Sequence, residues 1–256
     1  MPEATTLTAS AFDRMAPAYD AQFGTNPIGL HFRHEAQERT RLAFARGGRL
    51  LDLGCGTGED ALFLAGVGFD VTAVDPSPGM IERARAKAAA RGVAAVRFEV
   101  LAAEDVGSLG GPFDGVYSNF GALNCAELRR VGAALGSVLR RGAPIVCSVI
   151  GPRPLPGLLQ QALTARPARS GEPRVAGAPV PCHALSFREL RDGLGPGFAW
   201  TSRAALGVLL PAPAHEAWAR RNPIAFGLLA GAERLVRAWP VVRGLGDHLL
   251  LEGVRL

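Results

Sequence analysis

A chain of 256 residues that is 48% hydrophobic can build one sizeable core, so it reads as a single elaborated domain rather than two independent ones. Its net charge of +5 comes from scattered arginines, and with only 7% aromatic residues there is no block of basic side chains interleaved with aromatics, which argues against a nucleic-acid partner. The first ten residues lack the apolar centre of a leader, no apolar run is long enough to span a bilayer, and Cys55, Cys125, Cys147 and Cys182 show neither a C-x-x-C pair nor metal-ligand spacing; the expectation is a cytoplasmic protein with reduced thiols and no metal.

The first predicted element is a helix opened by Ser10 as its cap, with Phe12, Met15 and Tyr19 at helical spacing, and a second helix follows over about 29–46. Next, Leu50 to Leu53 form an apolar strand that runs into Gly54-Cys55-Gly56-Thr57-Gly58 and then into a helix from about Glu59, with Ala61, Leu62, Leu64 and Ala65 apolar. Glycines at a strand end permit positive φ and let a ligand approach the main chain, and the helix that follows turns its free amides toward the loop. A dinucleotide site needs G-x-G-x-x-G. Here the spacing is G-x-G-x-G, the position of the last required glycine holds Glu59, and the Glu59-Asp60 pair repels a pyrophosphate.

At Leu51 to Gly58 the chain resembles the first motif of the class I S-adenosylmethionine (SAM)-dependent methyltransferases. That resemblance implies a Rossmann-like, doubly wound α/β fold: a mostly parallel seven-stranded sheet with helices on both faces and an antiparallel last strand. It implies SAM as cofactor, S-adenosylhomocysteine (SAH) as product, and a cofactor loop made of Asp52, Gly54, Cys55, Gly56 and Gly58. Val71 to Val74 then give a short β-branched strand ended by Asp75, about 20 residues beyond the glycines, where a carboxylate accepts the ribose hydroxyls. Ser77 is expected to cap the following helix, which frees Asp75 for the ligand, with Pro76 and Met80 beside it.

The strand Val96 to Leu101 leads into a loop similar to the family's adenine-contacting segment, except that the acidic residue many members carry just after the strand is Ala102 here. The contact falls to Glu104 or Asp105, with the backbone amide of Ala103. Phe113 to Asn124 resembles the fourth motif, which puts Asn119 and Phe120 beside the transferred methyl group. Because Asn119 is followed by Phe120-Gly121, the segment departs from the Asn/Asp-Pro-Pro-Tyr/Phe form associated with methylating exocyclic or amide nitrogens.

A helix over about 126–140 carries Leu128, Val131, Leu135 and Val138 on one stripe, and Pro144 to Ile150 make a fifth strand. Strands and helices thus alternate from Arg49 to Ile150, the rhythm of a parallel sheet, and ligands in such sheets lie beyond the carboxyl ends of the strands, where Gly54, Asp75, Ala103 and Asn119 converge. Residues 151–181 are rich in Pro, Gly and Arg and read as a helix over about 155–165 followed by a loop. Ser186 with Glu189 forms a capping box for a helix to Leu194, and strands are expected over 198–209 and 248–254. Between them, 211–240 has helical apolar spacing and is expected to form a lid with an apolar inner face, the alternative being that its aromatics pack the insert onto the sheet. Residues 1–47 are read as a helical arm and 48–256 as the cofactor domain; by similarity to quinone and other metabolite methyltransferases, Tyr19 and Arg33 hold the methionine carboxylate.

The resulting expectation is methyl transfer from SAM to a small, partly apolar metabolite on oxygen, carbon or nitrogen. A nucleic-acid methyltransferase and a non-catalytic SAM-binding module are the alternatives. Should the acceptor need to lose a proton, His31, His183 and His215 are the weak candidates for a base.

Overall fold

A computed structural model of the chain describes residues 2–44, 47–164 and 174–256. Two helices, α1 (Pro2–Phe23) and α2 (Pro27–Ala43), precede the alternating region β1 (Arg49–Leu53), α3 (Glu59–Gly66), β2 (Asp70–Asp75), α4 (Pro78–Ala90), β3 (Val96–Val100), β4 (Gly115–Ser118), α5 (Leu128–Val138) and β5 (Pro144–Ile150). Then come α6 (Leu155–Thr164), a small hairpin of β6 (Arg174–Val175) and β7 (Ala178–Pro179), α7 (Phe187–Leu194), β8 (Phe198–Leu206), α8 (Glu216–Arg221), α9 (Pro223–Val236) and β9 (His248–Arg255). Seven strands form one sheet in the order β3-β2-β1-β4-β5-β9-β8, parallel from β3 to β5, with β9 antiparallel to both its neighbours. This is the fold class expected from the sequence.

Adjacent residues of a strand point to opposite faces, so β1 feeds two cores. Leu50 packs with Val71, Tyr117 and Leu250 under α2, α3 and α4, whereas Leu51 and Leu53 pack with Val116, Ile145 and Leu249 under α5 and α7. The chain crosses to opposite sides on leaving β1 and β4, which opens a crevice at the strand tips between them.

Two boundaries differ from expectation. Ser10 does not cap α1, which begins at Pro2; Ala11 and Ala16 are buried on the side packed against α4, so tertiary contact extends the helix through the Thr-rich start. β8 stops at Leu206 rather than near 209, because Gly207 turns with φ of +77° and the amides of Gly207, Val208, Leu209 and Leu210 all donate to the buried Glu233 carboxylate of α9. The Ser186 capping box forms as read. Residue 165, the expected last residue of α6, lies outside the described residues.

Candidate active site

The glycine loop is held by the strand beside it: the Gly54 and Cys55 amides donate to the Val74 carbonyl at 2.8 and 3.0 Å. Gly54 has φ of +68°, and a Cβ there would lie 2.2 Å from the Ala122 methyl group. Gly56 has φ of +53°, yet a Cβ there would meet nothing within 4 Å, so this glycine faces open space. That space is a cavity of about 220 Å³ at the strand tips.

Of the residues expected to touch cofactor, Tyr19, Arg33, Gly54, Cys55, Gly56, Asp75, Pro76, Met80, Ala103, Glu104, Asn119 and Phe120 all line this cavity. Asp52 and Gly58 do not: Asp52 is buried beneath the loop, and Gly58 caps α3 in the left-handed conformation with its α-carbon pressed toward Ala84 and Phe98. Burial pushes the Asp52 carboxyl well above its ordinary range, with Asp60 and Asp75 adding to the effect.

Asp75 is buried at the end of β2, its two carboxylate oxygens accepting the Gly56 and Ser77 amides at 2.9 Å each. Each oxygen retains a lone pair for a further donor. Ser77, as expected, caps α4 by accepting the Met80 amide. Burial pushes the Asp75 carboxyl up to about 6 against the lowering effect of those two amides. Glu104 turns inward and accepts the Glu127 amide at 2.8 Å, whereas Asp105 turns outward to Arg130, so of the two acids it is Glu104 that lines the cavity.

Around Arg33 the walls are polar. Its Nε lies 3.7 Å from Asp60 Oδ1 and has no hydrogen-bond partner among the described residues, while its guanidinium carbon stands 5.1 Å from the Phe120 ring centre. Burial works against the Arg33 charge, but Asp60, aided by Tyr19 and Tyr117, outweighs it and holds the guanidinium above its ordinary value. Burial likewise pushes the Tyr19 phenol up to about 12. Asp60 also accepts from Gln37 and Asn119. Asn119 in turn accepts a hydrogen bond from Ser148 on β5 and from the amide of Phe120, which takes the left-handed conformation with φ of +54°. This network fixes Phe120 in the wall.

The cavity cover was only half legible. α1 supplies Thr5, Thr8, Phe12 and Tyr19, and it is tied down at two points: Asp13 accepts from Ser77 Oγ and the Gly79 amide at the start of α4, and Asp20 accepts from Thr57 and pairs with Lys87 at 2.9 Å. The other part of the cover is the β6–β7 hairpin and the segment after it, through Val175, Val180 and Cys182. Of the two readings of 211–240, the lid is corrected and the packed insert is found: none of its residues lines the cavity, and Phe226, Leu229 and Ala230 pack into the core beneath α2. The expectation of four reduced thiols is corrected too. Cys125 and Cys182 form a disulfide in the cavity wall, a pairing across 57 residues that only the fold brings together.

None of the three histidine candidates reaches the cavity. His31 meets Phe226 edge-on at 5.8 Å and its basicity is lowered by burial. His183 is exposed and its backbone pairs with Asn124, and His215 is exposed before α8. A fourth histidine, His248, is paired with Asp247 at 2.9 Å and packed edge-on against the wall residue Phe120 at 5.6 Å.

Residues 50–142 match a family model described as a methyltransferase domain. A demethylmenaquinone methyltransferase of Clavibacter sepedonicus is 32% identical over 148 residues, 58% of this chain and 60% of that protein. The chain spans 47–60% of the length of the first curated relatives it matches. A solved structure from work on conversion of a disulfide bond into a thioacetal group during echinomycin biosynthesis is 31% identical, with 77% of this chain and 82% of that one covered and a TM-score of 0.56. Magnesium protoporphyrin IX methyltransferase from Synechocystis PCC 6803, solved with SAH bound, shares the fold at 18% identity over 99% and 100% of the two chains, with a TM-score of 0.62. The chain therefore belongs to the class I SAM-dependent methyltransferases.

Proposed function

We propose that this protein transfers the methyl group of SAM to a small, largely apolar metabolite. The observation that carries the reading is the mixed lining of the cavity. Glu59, Asp60, Asp75 and Glu104 line it with one guanidinium among the described residues, that of Arg33. Four carboxylates suit a ligand with positive centres and oppose a pyrophosphate. Phe12, Ile150, Val175, Val180 and the disulfide add apolar wall, which suits an uncharged acceptor.

SAM, when bound, supplies a methyl group made electrophilic by its sulfonium. The chain's part is to hold and to exclude. Arg33, with its unpartnered Nε, would take the ligand's carboxylate beside the Tyr19 hydroxyl; Asp75 would accept the ribose hydroxyls on its free lone pairs; Ala103 and Glu104 would face the adenine. Asn119 and Phe120, fixed by Ser148, would set the floor on which the acceptor lies. Alignment of two reactants at near-attack distance and exclusion of water are the chain's main contribution to the rate, and a base is needed only where the acceptor must lose a proton.

Calorimetric titration tests this directly. SAM and SAH should bind and NAD should not; binding of NAD alone would overturn the proposal. Replacing Asp75 by Ala should weaken SAH binding by about 1.5–3 kcal/mol, roughly 10- to 150-fold, the range for a charge-assisted hydrogen bond. Since the carboxyl is pushed up to about 6, its ionised, accepting form is full above that pH and is lost as pH falls through it. Wild-type affinity for SAH should therefore drop below about pH 6, and the Ala variant should lack that step. A variant with unchanged affinity and the same pH profile removes Asp75 from the site.

A further inference from the structure

Outside the site, the outer face of α9 has a composition unlike the rest of the surface. Ile224, Leu228 and Leu235 recur at helical spacing on that face, and Trp239 and Val241 continue it in the turn that follows. Their exposure runs from 58% for Trp239 to 82% for Val241, so these are large apolar side chains standing in water. The inner face is already used, since Phe226, Leu229, Ala230 and Glu233 pack on α2 and the end of β8. The outer apolar row is thus not a by-product of core packing.

The charge around this row is mostly basic. Residues 216–246 include Arg220, Arg221, Arg234, Arg237 and Arg243 and two acids, Glu216 and Glu233. Glu233 is buried and spent on the four amides after β8, Glu216 pairs with Arg220, and Arg234 and Arg237 are both held by Glu35. The surface offered to a partner is therefore apolar, with Arg221 exposed, Arg243 half-buried, and its outward carboxylate already paired. A second copy of the chain docked face to face by two-fold symmetry would set Arg221 and Arg243 against their equivalents, with the outward acid Glu216 already taken by Arg220. A negatively charged apolar layer has the complementary character: lipid tails for the leucines and isoleucine, the interfacial zone for Trp239, and phosphates for the guanidinium groups.

We propose that α9 and the turn after it rest in the surface of an anionic lipid bilayer, lying in its plane. No helix among the described residues is long and apolar enough to cross it. The full chain should float with vesicles of phosphatidylcholine containing phosphatidylglycerol, and should stay behind with vesicles of phosphatidylcholine alone. Added salt should weaken the association. The double substitution Leu228→Asp with Leu235→Asp, at exposed positions, should lower vesicle binding by about tenfold or more. A second pair, Arg221→Gln with Arg243→Gln, should flatten the salt dependence. SAH binding should survive both pairs. No flotation with the anionic vesicles at low salt would overturn the proposal, as would equal flotation by the Asp variant. A dimer in sedimentation that the Asp variant abolishes, with no flotation, would give the face to a second copy instead.

Discussion

Replacing Glu35 by Ala is expected to destabilise the fold by about 3–5 kcal/mol, the scale for removing one partner of a buried ion pair. Glu35 lies buried on α2 and receives Arg234, at 2.5 Å, and Arg237, so it fastens α2 to the end of α9. Arg237 is buried too, and without Glu35 its charge has lost its carboxylate in a site that water does not reach. Burial opposes ionisation of Glu35, but its hydrogen bonds to Arg237 and Arg234 prevail and hold the carboxyl below its ordinary 4.5. The sign follows from that depression: the stability this carboxylate contributes is present above pH 4.5 and is lost as pH falls through the lower, folded value. Urea denaturation across pH should show a wild-type protein that weakens in that acidic range and an Ala variant that is already weak at pH 7 and changes less. The variant should also bind SAH less tightly, since Arg33 sits half a turn earlier on the same helix. A loss under about 1 kcal/mol at pH 7 would mean that Arg237 finds water or another acceptor, and that the pair is not what holds α2.

What could be read from sequence was what local backbone rules dictate. Three glycines at a strand end, an acid at the tip of the next strand and a Ser-x-x-Glu box each specify a conformation within a few residues, and the Gly54 to Gly58 loop, Asp75 and the helix after Ser186 all appear where expected. What could not be read joins distant positions. Asp13 and Asp20 look like the solvated side of an amphipathic helix, yet they fasten α1 to Ser77, Gly79, Thr57 and Lys87. Ser148 is one small residue in an apolar strand, and its role under Asn119 depends on β4 lying beside β5.

The misplaced lid has a similar cause. Helical spacing over 211–240 identifies an apolar face without saying which surface it meets, and α9 carries two such faces, one against α2 and one in solvent. His248 is hidden for a third reason: it is buried at the start of the last strand, and its contact with the Phe120 ring follows only from β9 lying beside β5.

Substituting Ser at both Cys125 and Cys182 is the change expected to loosen the cover of the cavity while leaving the glycine loop in place. The bond spans 57 residues, which include β5, α6 and the β6–β7 hairpin, and a loop of that length confines the unfolded chain enough to be worth about 4 kcal/mol in the chain-entropy account. Thermal denaturation should show a loss near that size. In the folded state the consequence is local. Cys182 follows Val180 in the cover, and the neighbouring backbone is held independently, since Asn124 on the opposite side donates to the carbonyls of Ile150 and His183 and the His183 amide returns a bond to the Asn124 carbonyl. The double Ser variant therefore keeps its anchor at Asn124 but loses the covalent link beside it. Amide exchange should quicken over 174–182 and stay slow in β1, β2 and the glycine loop. Affinity for SAH should remain within about twofold of wild type below the melting range, because the cofactor end is built by strand tips that the bond does not touch. If SAH affinity fell in step with stability while exchange over the hairpin stayed slow, the cover and the cofactor loop would be one cooperative unit, and the bond would not be a tether of the cover alone.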